Sequence, residues 1–141
     1  MKKLVPHITF NGVCEEALNV YKDAFEGKIE FAQRYGDSPM ADQVPEEWSD
    51  NIMHATFTAD GVHFMAADSM PGHEAAETSN IDLSIDFDSK ERQVEVFEKL
   101  AKDGKVLLPL QDMFWGSHFG MIKDRFGVGW MFSYELESGE R

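Results

Sequence analysis

Residues 80–87 read Asn80-Ile81-Asp82-Leu83-Ser84-Ile85-Asp86-Phe87, an unbroken alternation of polar and apolar side chains. A period of two is that of a strand with one packed face (Ile81, Leu83, Ile85, Phe87) and one wet face (Asn80, Asp82, Ser84, Asp86). From Asp88 the period changes. Val94, Phe97, Leu100 and Ala101 form a helical stripe running to Asp103, with Asp88 and Glu91 in capping-box spacing and Gly104 as the stop. The same order occurs nearer the start. A short strand over 4–10 precedes a stripe of Cys14, Ala17, Leu18, Tyr21, Ala24 and Phe25, with Glu15 and Glu16 in the first turn and Gly27 as a left-handed stop.

Further strands are expected over 28–35, 51–59, 62–68, 105–111, 118–123 and 128–135, separated by turn signals such as Asp60-Gly61 and Phe126-Gly127. The order is strand, helix and three strands, twice. At an offset of 77 Ile8 matches Ile85, Phe10 matches Phe87, Lys22 matches Lys99, Ala24 matches Ala101, and Gly27-Lys28 matches Gly104-Lys105; the helical stripes fit better at 76. The fold class expected is α+β, two βαβββ modules forming cupped mixed sheets with helices on their outer faces. The 141 residues form one domain, with modules at about 1–69 and 79–141 and a linker over 70–78. The polar stretch 36–50, with Pro39 and Pro45, is a candidate lid or a mobile loop.

Composition narrows the function classes. Hydrophobic residues make up 43% and charged residues 28%, as in ordinary globular domains. Twenty-six acidic against thirteen basic residues give a formal net charge of -13, and no basic run exceeds Lys2-Lys3. Nucleic acid and anionic membranes are therefore not expected as partners. The single Cys14 excludes an internal disulfide and a multi-cysteine zinc site and suits a reducing compartment. Met1-Lys2-Lys3 resembles the start of a signal peptide, but Pro6, His7, Thr9 and Asn11 break the apolar core such a peptide needs. With no apolar run of ~18 residues, the expected location is cytoplasmic.

Several stretches carry a family resemblance: Asn11-Gly12 with Cys14-Glu15-Glu16-Ala17-Leu18 and Tyr21; Arg34-Tyr35-Gly36-Asp37-Ser38-Pro39; Met53-His54-Ala55; and, most specifically, Phe114-Trp115-Gly116, Phe119-Gly120-Met121, Asp124, Phe126-Gly127-Val128 and Trp130-Met131. Together they resemble the PhnB-like branch of the vicinal oxygen chelate superfamily, which holds glyoxalase I, extradiol dioxygenases, and bleomycin and fosfomycin resistance proteins. The resemblance covers essentially the whole chain and implies the fold; the branch has no agreed activity. Its members often carry a ubiquinone-pathway methyltransferase label. The glycine-rich strand-to-helix turn of common methyltransferases is missing, and the close pair Gly127 and Gly129 precedes a strand, where turn glycines suffice.

In the metal-using relatives, His, Gln or Glu from the first and last strands of each module hold the ion. Those positions fall here on His7, on Asn80, on Met65 or Ala66, and on Met131, and only His7 is a good ligand for a first-row metal. What the resemblance then implies is a protein that binds a small organic molecule in a metal-free cavity, with no cofactor, paired as a homodimer. The expected polar wall is His7, Thr9, Asn11, His54, Asn80, Asp82 and Ser133, with Trp115 and Met131 adding apolar surface. Arg34 is placed to meet an anionic ligand, its bland alternative being a surface ion pair. Trp130 is watched beside Trp115 as cavity lining, and Cys14 is read as buried packing. The alternatives are a metal-dependent lyase, isomerase, transferase or dioxygenase using a shifted set such as His7, His54 and Glu135 on a phosphonate, epoxide or oxo compound, and an acidic dimeric scaffold without a ligand.

Overall fold

The computed structural model describes residues 2–137. The chain divides into two compact units, Met1–Ala76 and Glu77–Arg141. The first contains β1 (His7–Phe10), α1 (Cys14–Phe25), β2 (Lys28–Arg34), β3 (Ile52–Ala59) and β4 (Val62–Asp68), and the second β5 (Leu83–Phe87), α2 (Lys90–Ala101), β6 (Lys105–Asp112), β7 (Ser117–Lys123) and β8 (Gly129–Glu135). Each unit is a βαβββ module with a four-stranded mixed sheet, in the orders β1-β4-β3-β2 and β5-β8-β7-β6. The last strand returns to pair in parallel with the first, Phe10 opposite Asp68 and Phe87 opposite Tyr134. All other pairings are antiparallel.

The first unit's core is aromatic. Cys14, Ala17, Leu18, Tyr21, Ala24 and Phe25 of α1 are all buried, as their stripe predicts, and they close over Phe10, Phe57 and Phe64. Tyr21 meets Phe64 edge-on at 5.7 Å, and Phe64 stacks on Phe57 at 4.8 Å. In the second unit the stripe is shifted. Gln93, Val96, Phe97 and Leu100 are buried, whereas Val94 is only half-buried. The cap shifts too: Ser89, not Asp88, precedes the helix and accepts from the Arg92 amide at 3.2 Å.

Both repeat offsets hold, in different places. Lys28 and Lys105 open β2 and β6 at 77, while Cys14 and Lys90 open the helices at 76, because the connection before the helix is one residue shorter in the second unit and the one after it one longer. The strap of residues 36–50 has no counterpart in the second unit. It is built of three 3-10 turns and is tied down rather than loose: the Trp48 indole donates to the Ser69 carbonyl at 2.8 Å and the Tyr35 hydroxyl to the Asp68 carbonyl at 2.9 Å. The expected linker is likewise not a free tether over its whole length. The Asn11 amide donates to the Ala75 carbonyl and accepts its N–H, holding that segment to the first unit.

The strand read over 80–87 begins only at Leu83. Leu83 pairs with Trp130 near the start of β8, and beyond Gly129 the partner chain turns, the Val128 amide donating to Asp124 Oδ1. Asn80 and Asp82 therefore have no ladder to join, and Ile81 is left 72% exposed.

The glycine stops also work differently from expectation. The left-handed residues are Glu26 (φ 53°) and Asp103 (φ 60°). Gly27 and Gly104 follow them because a Cβ there would lie 2.5 Å from the Phe57 ring and from the Lys123 carbonyl oxygen respectively. Gly27→Ala and Gly104→Ala should each cost about 1–3 kcal/mol through overpacking. Glu26→Gly should instead gain about 0.5–1 kcal/mol, relief of the left-handed backbone exceeding glycine's entropy loss. Urea unfolding midpoints that moved the other way would contradict both assignments.

Candidate functional site

Parallel closure fixes which side chains leave the helix face. In β1, Ile8 and Phe10 turn toward the core while His7 and Thr9 are exposed. His7 stands opposite Met65, and Thr9 opposite Ala67. His54 in β3 is half-buried, with its ring 6.0 Å from that of Phe31. His7, Thr9 and His54 are thus placed on the open face of the first sheet, as the alternation predicts. Asn11 is not on that wall, since Ala75 engages its amide. Arg34 meets a carboxylate of the chain itself: it donates to Glu15 at 2.6 and 3.2 Å and to the Asp50 carbonyl at 2.7 Å. This pair holds the Glu15 carboxyl below its ordinary pKa.

In the second unit, Asn80 and Asp82 are exposed and outside β5. The residue at the His7 station is Ser84, which faces Met131 as His7 faces Met65; the expected position, Asn80, lies before the strand begins. Trp130 is also reassigned. It is 2% exposed on the helix side, and its indole donates to Asp124 Oδ2 at 2.9 Å, while Asp124 Oδ1 accepts the Phe126 and Val128 amides. Trp130 is core, anchored through a turn.

Met131, Ser133 and Glu135 project to the open face, alternating with the buried Trp130 and Phe132. There Asp86, Phe87, Trp115, Gly116, Ser117, Ser133 and Glu135 line a cavity of about 360 Å3, inside the ~300–1,000 Å3 range of small-molecule sites. Ser133 is bracketed by register, with Asp86 beside it on β5 and Phe119 on β7. Its hydroxyl and that of Ser117 share a hydrogen bond of 2.8 Å in which either can donate. Trp115 is 52% exposed and is propped by Phe114 and Phe119 at 5.0 and 5.8 Å.

Of the sequence-predicted wall, Trp115 and Ser133 come together here. Asp86 was legible as part of the wet face of 80–87, although only its neighbour Asp82 was chosen. Ser117 carried no signal: it gains its place from pairing with Glu135 across β7 and β8.

The chemistry of the donors bears on a metal. The two stations offer an imidazole and a thioether in the first unit, and a hydroxyl and a thioether in the second, with no carboxylate. These do not fit a hard divalent ion. Among the described residues no three His, Cys, Asp or Glu side chains group as a metal-holding set.

The sequence profile of the 3-demethylubiquinone-9 3-methyltransferase family matches residues 2–133. The solved structure of a PhnB protein of Bacillus cereus, described as a putative 3-demethylubiquinone-9 3-methyltransferase, is 31% identical, with 94% of this chain and 99% of that one covered and a TM-score of 0.79. The chain belongs to this PhnB-like family. Protein PA1353 of Pseudomonas aeruginosa is 36% identical over 97% of this chain and 100% of its own, with a TM-score of 0.86. Protein YjdN of Escherichia coli K12 is 30% identical over 136 residues, 91% of this chain and 92% of its own. Glyoxalase/bleomycin resistance/dioxygenase domains share the fold at identities under 25%.

The family's name implies a methyl-donor cofactor, and among the described residues there is no glycine-rich strand-to-helix turn of the kind that seats one of the common type. The β5-to-α2 connection is Asp88-Ser89, without glycine, and the β1-to-α1 connection has the single Gly12. Gly127 (φ 91°) sits in the Asp124 turn, and Gly129 opens β8.

Cys14 is fully buried at the start of α1, its amide donating to Asp68 Oδ1 at 2.9 Å. Burial first, then the charges of Asp68 and Glu15, push its thiol pKa up, against the acidifying effect of a helix N-terminus. Iodoacetamide should therefore label Cys14 only after unfolding. Because the unfolded thiol ionises at about pH 8.5 and the folded one does not, stability should fall as pH rises above that value. Cys14→Ala should flatten this slope, leaving a smaller one from the Tyr35 hydroxyl, whose pKa burial and then Asp68 also raise. Rapid labelling of the folded protein would contradict the assignment.

Proposed function

We propose that this PhnB-like protein binds a small organic molecule, without a metal, on the open face of its second unit. The observation that supports this reading most directly is the cavity walled by Trp115, Ser117, Ser133 and two carboxylates. Its wall is mainly polar, with the Trp115 ring beside two hydroxyls and two carboxylates, and its volume is that of a small-molecule site. The metal-free part rests on the donor set, since thioethers and one hydroxyl occupy stations where a Lewis-acid enzyme of this fold needs imidazole, carboxylamide or carboxylate. His7, Thr9 and His54 form a second polar face, in the first unit, to which the same role is extended. A reducing, cytoplasmic setting belongs to this reading, in keeping with a lone buried thiol and with the absence, among the described residues, of a helix long and apolar enough to cross a membrane. A homodimer belongs to it as well, supported by Val106 and Leu107, which are 47% and 48% exposed on the sheet-edge strand β6.

Fluorinated single-ring fragments followed by 19F NMR test the site. Binders of the natural sequence should be lost in Ser133→Phe, which fills the cavity, and EDTA should change neither binding nor the melting temperature. A metal present at about 100 times its Kd would add ~2.7 kcal/mol of stability. Stoichiometric metal, lost together with fragment binding in His7→Ala, would replace this reading with the metal-dependent enzyme. Fragments that bind Ser133→Phe undiminished would remove the cavity from it. Light scattering that gave a monomer at micromolar concentration would overturn the dimer.

A further inference from the structure

We infer that the ligand of the second unit's cavity is an organic cation, an amine or amidine carried on an aromatic or other flat apolar group; this rests on the proposed cavity being a binding site. Two carboxylates stand in its wall, Asp86 and Glu135. Asp86 pairs with Ser133 across the parallel ladder, and Glu135 lies two residues further along β8 on the same face. The two acids are therefore diagonal neighbours, with Cα atoms on the order of 7–8 Å apart, and Ser133 neighbours both, Asp86 across the ladder and Glu135 along the strand.

Some acids of the chain have partners of their own, Glu15 with Arg34, Glu95 with Arg92 and Lys99, and Asp124 with two amides and an indole; others, such as the Asp112 carboxylate on β6, have none among the described residues. Among the described residues neither the Asp86 nor the Glu135 carboxylate has an ion-pair or side-chain hydrogen-bond partner. No Lys, Arg or His lines the cavity. A concave wall of one charge sign, in a chain of net charge -13, concentrates cations and repels phosphonates and carboxylates.

The apolar part of the wall suits the same class of ligand. Trp115 is in the lining with the acids, and a tryptophan face is the best aromatic partner for a cation. The Ser117 and Ser133 hydroxyls, already bonded to each other, retain lone pairs that accept from N–H donors. A ligand with two or more N–H groups on a positive centre meets acceptors on every polar side of the cavity. An anionic ligand meets none of the positive donors it needs.

The test uses three probes of one shape, benzamidinium, benzamide and benzoate, titrated into the 15N-labelled full chain. The readout is the backbone amide signals of Gly116, Ser117, Ser133 and Glu135. Benzamidinium should shift these signals at concentrations about tenfold lower than benzamide, and benzoate should not shift them. Asp86→Asn and Glu135→Gln, both isosteric at exposed positions, should each weaken benzamidinium about three- to tenfold and leave benzamide unchanged. Added salt should weaken benzamidinium alone. Equal binding of benzamidinium and benzamide at these amides, or tighter binding of benzoate, would overturn the cation assignment while leaving the cavity a binding site. Silence of these amides to all three probes would overturn the cavity itself. A variant whose remaining spectrum shows misfolding is replaced by the other, since either carboxylate alone tests the inference.

Discussion

The return of the last strand of each unit to pair in parallel with the first is the constraint from which the rest follows. An antiparallel hairpin can be closed by its own turn, but a parallel pair needs a long crossover. Here that path is the helix and two further strands. Once His7 is opposite Met65 and Ser84 opposite Met131, the period of two decides every side chain's face. The apolar set goes under the helix and the polar set to the open face. The sharp turn from helix to second strand is part of the same closure. It brings the backbone so close to β3 or β7 that only glycine fits at Gly27 and Gly104, and it places Glu26 and Asp103 in left-handed backbone just before them.

On this shared plan the two units solve their buried polar groups differently. In the first, the Asp68 carboxylate accepts from the Cys14 amide at one oxygen and the Ile52 amide at the other, both at 2.9 Å, fastening the start of α1 and of β3 to the end of β4. Charge-assisted bonds of this kind are about twice as strong as neutral ones. The Asp68 carbonyl also receives the Tyr35 hydroxyl, so the strap between β2 and β3 is anchored at the same place. In the second unit an amide–imidazole pair bridges α2 and β7: Gln93 Nε2 donates to the His118 carbonyl, and Gln93 Oε1 and His118 Nδ1 lie 2.7 Å apart. Gln93 is wholly buried, and these contacts satisfy both ends of its amide, which makes burial of a polar side chain in the helix stripe tolerable.

That difference explains where the sequence was legible and where it was not. Strands were readable to within a residue or two because alternation is a local property; the exceptions are the two first strands, expected over 4–10 and 80–87, which begin only at His7 and Leu83. The α1 stripe was readable because all its members are apolar. The α2 stripe was readable at Phe97 and Leu100 but not at Gln93, which holds a core position that only its tertiary partner His118 makes possible. Trp130 gave no hint of its side, since tryptophan suits a core and a cavity alike, and the Asp124 contact settled it. Of the residues that line the candidate cavity, Trp115 lies in the family stretch Phe114-Trp115-Gly116, and Ser133 was placed on the polar wall without a family stretch of its own. Ser117 belongs to the cavity only through strand register, which sequence spacing across an irregular connection does not fix.

Fold and chemistry come apart at the open face. The same alternation that builds the sheet gives each strand outward positions that packing does not constrain, so a substitution there changes chemistry at little structural cost. In this chain those positions hold Met65, Met131 and Ser84 where a Lewis-acid site requires harder donors, and Asp86 and Glu135 where a bound anion would need cations. Carboxylates in a wall cost little while water reaches them, and the energy of desolvating them is recovered only by a partner of opposite charge. No such partner lines the cavity, and on the inference drawn above the molecule that fills it and displaces that water brings the positive charge itself. Shape alone would admit many small molecules to a cavity of this size; it is the uncompensated charge that separates them.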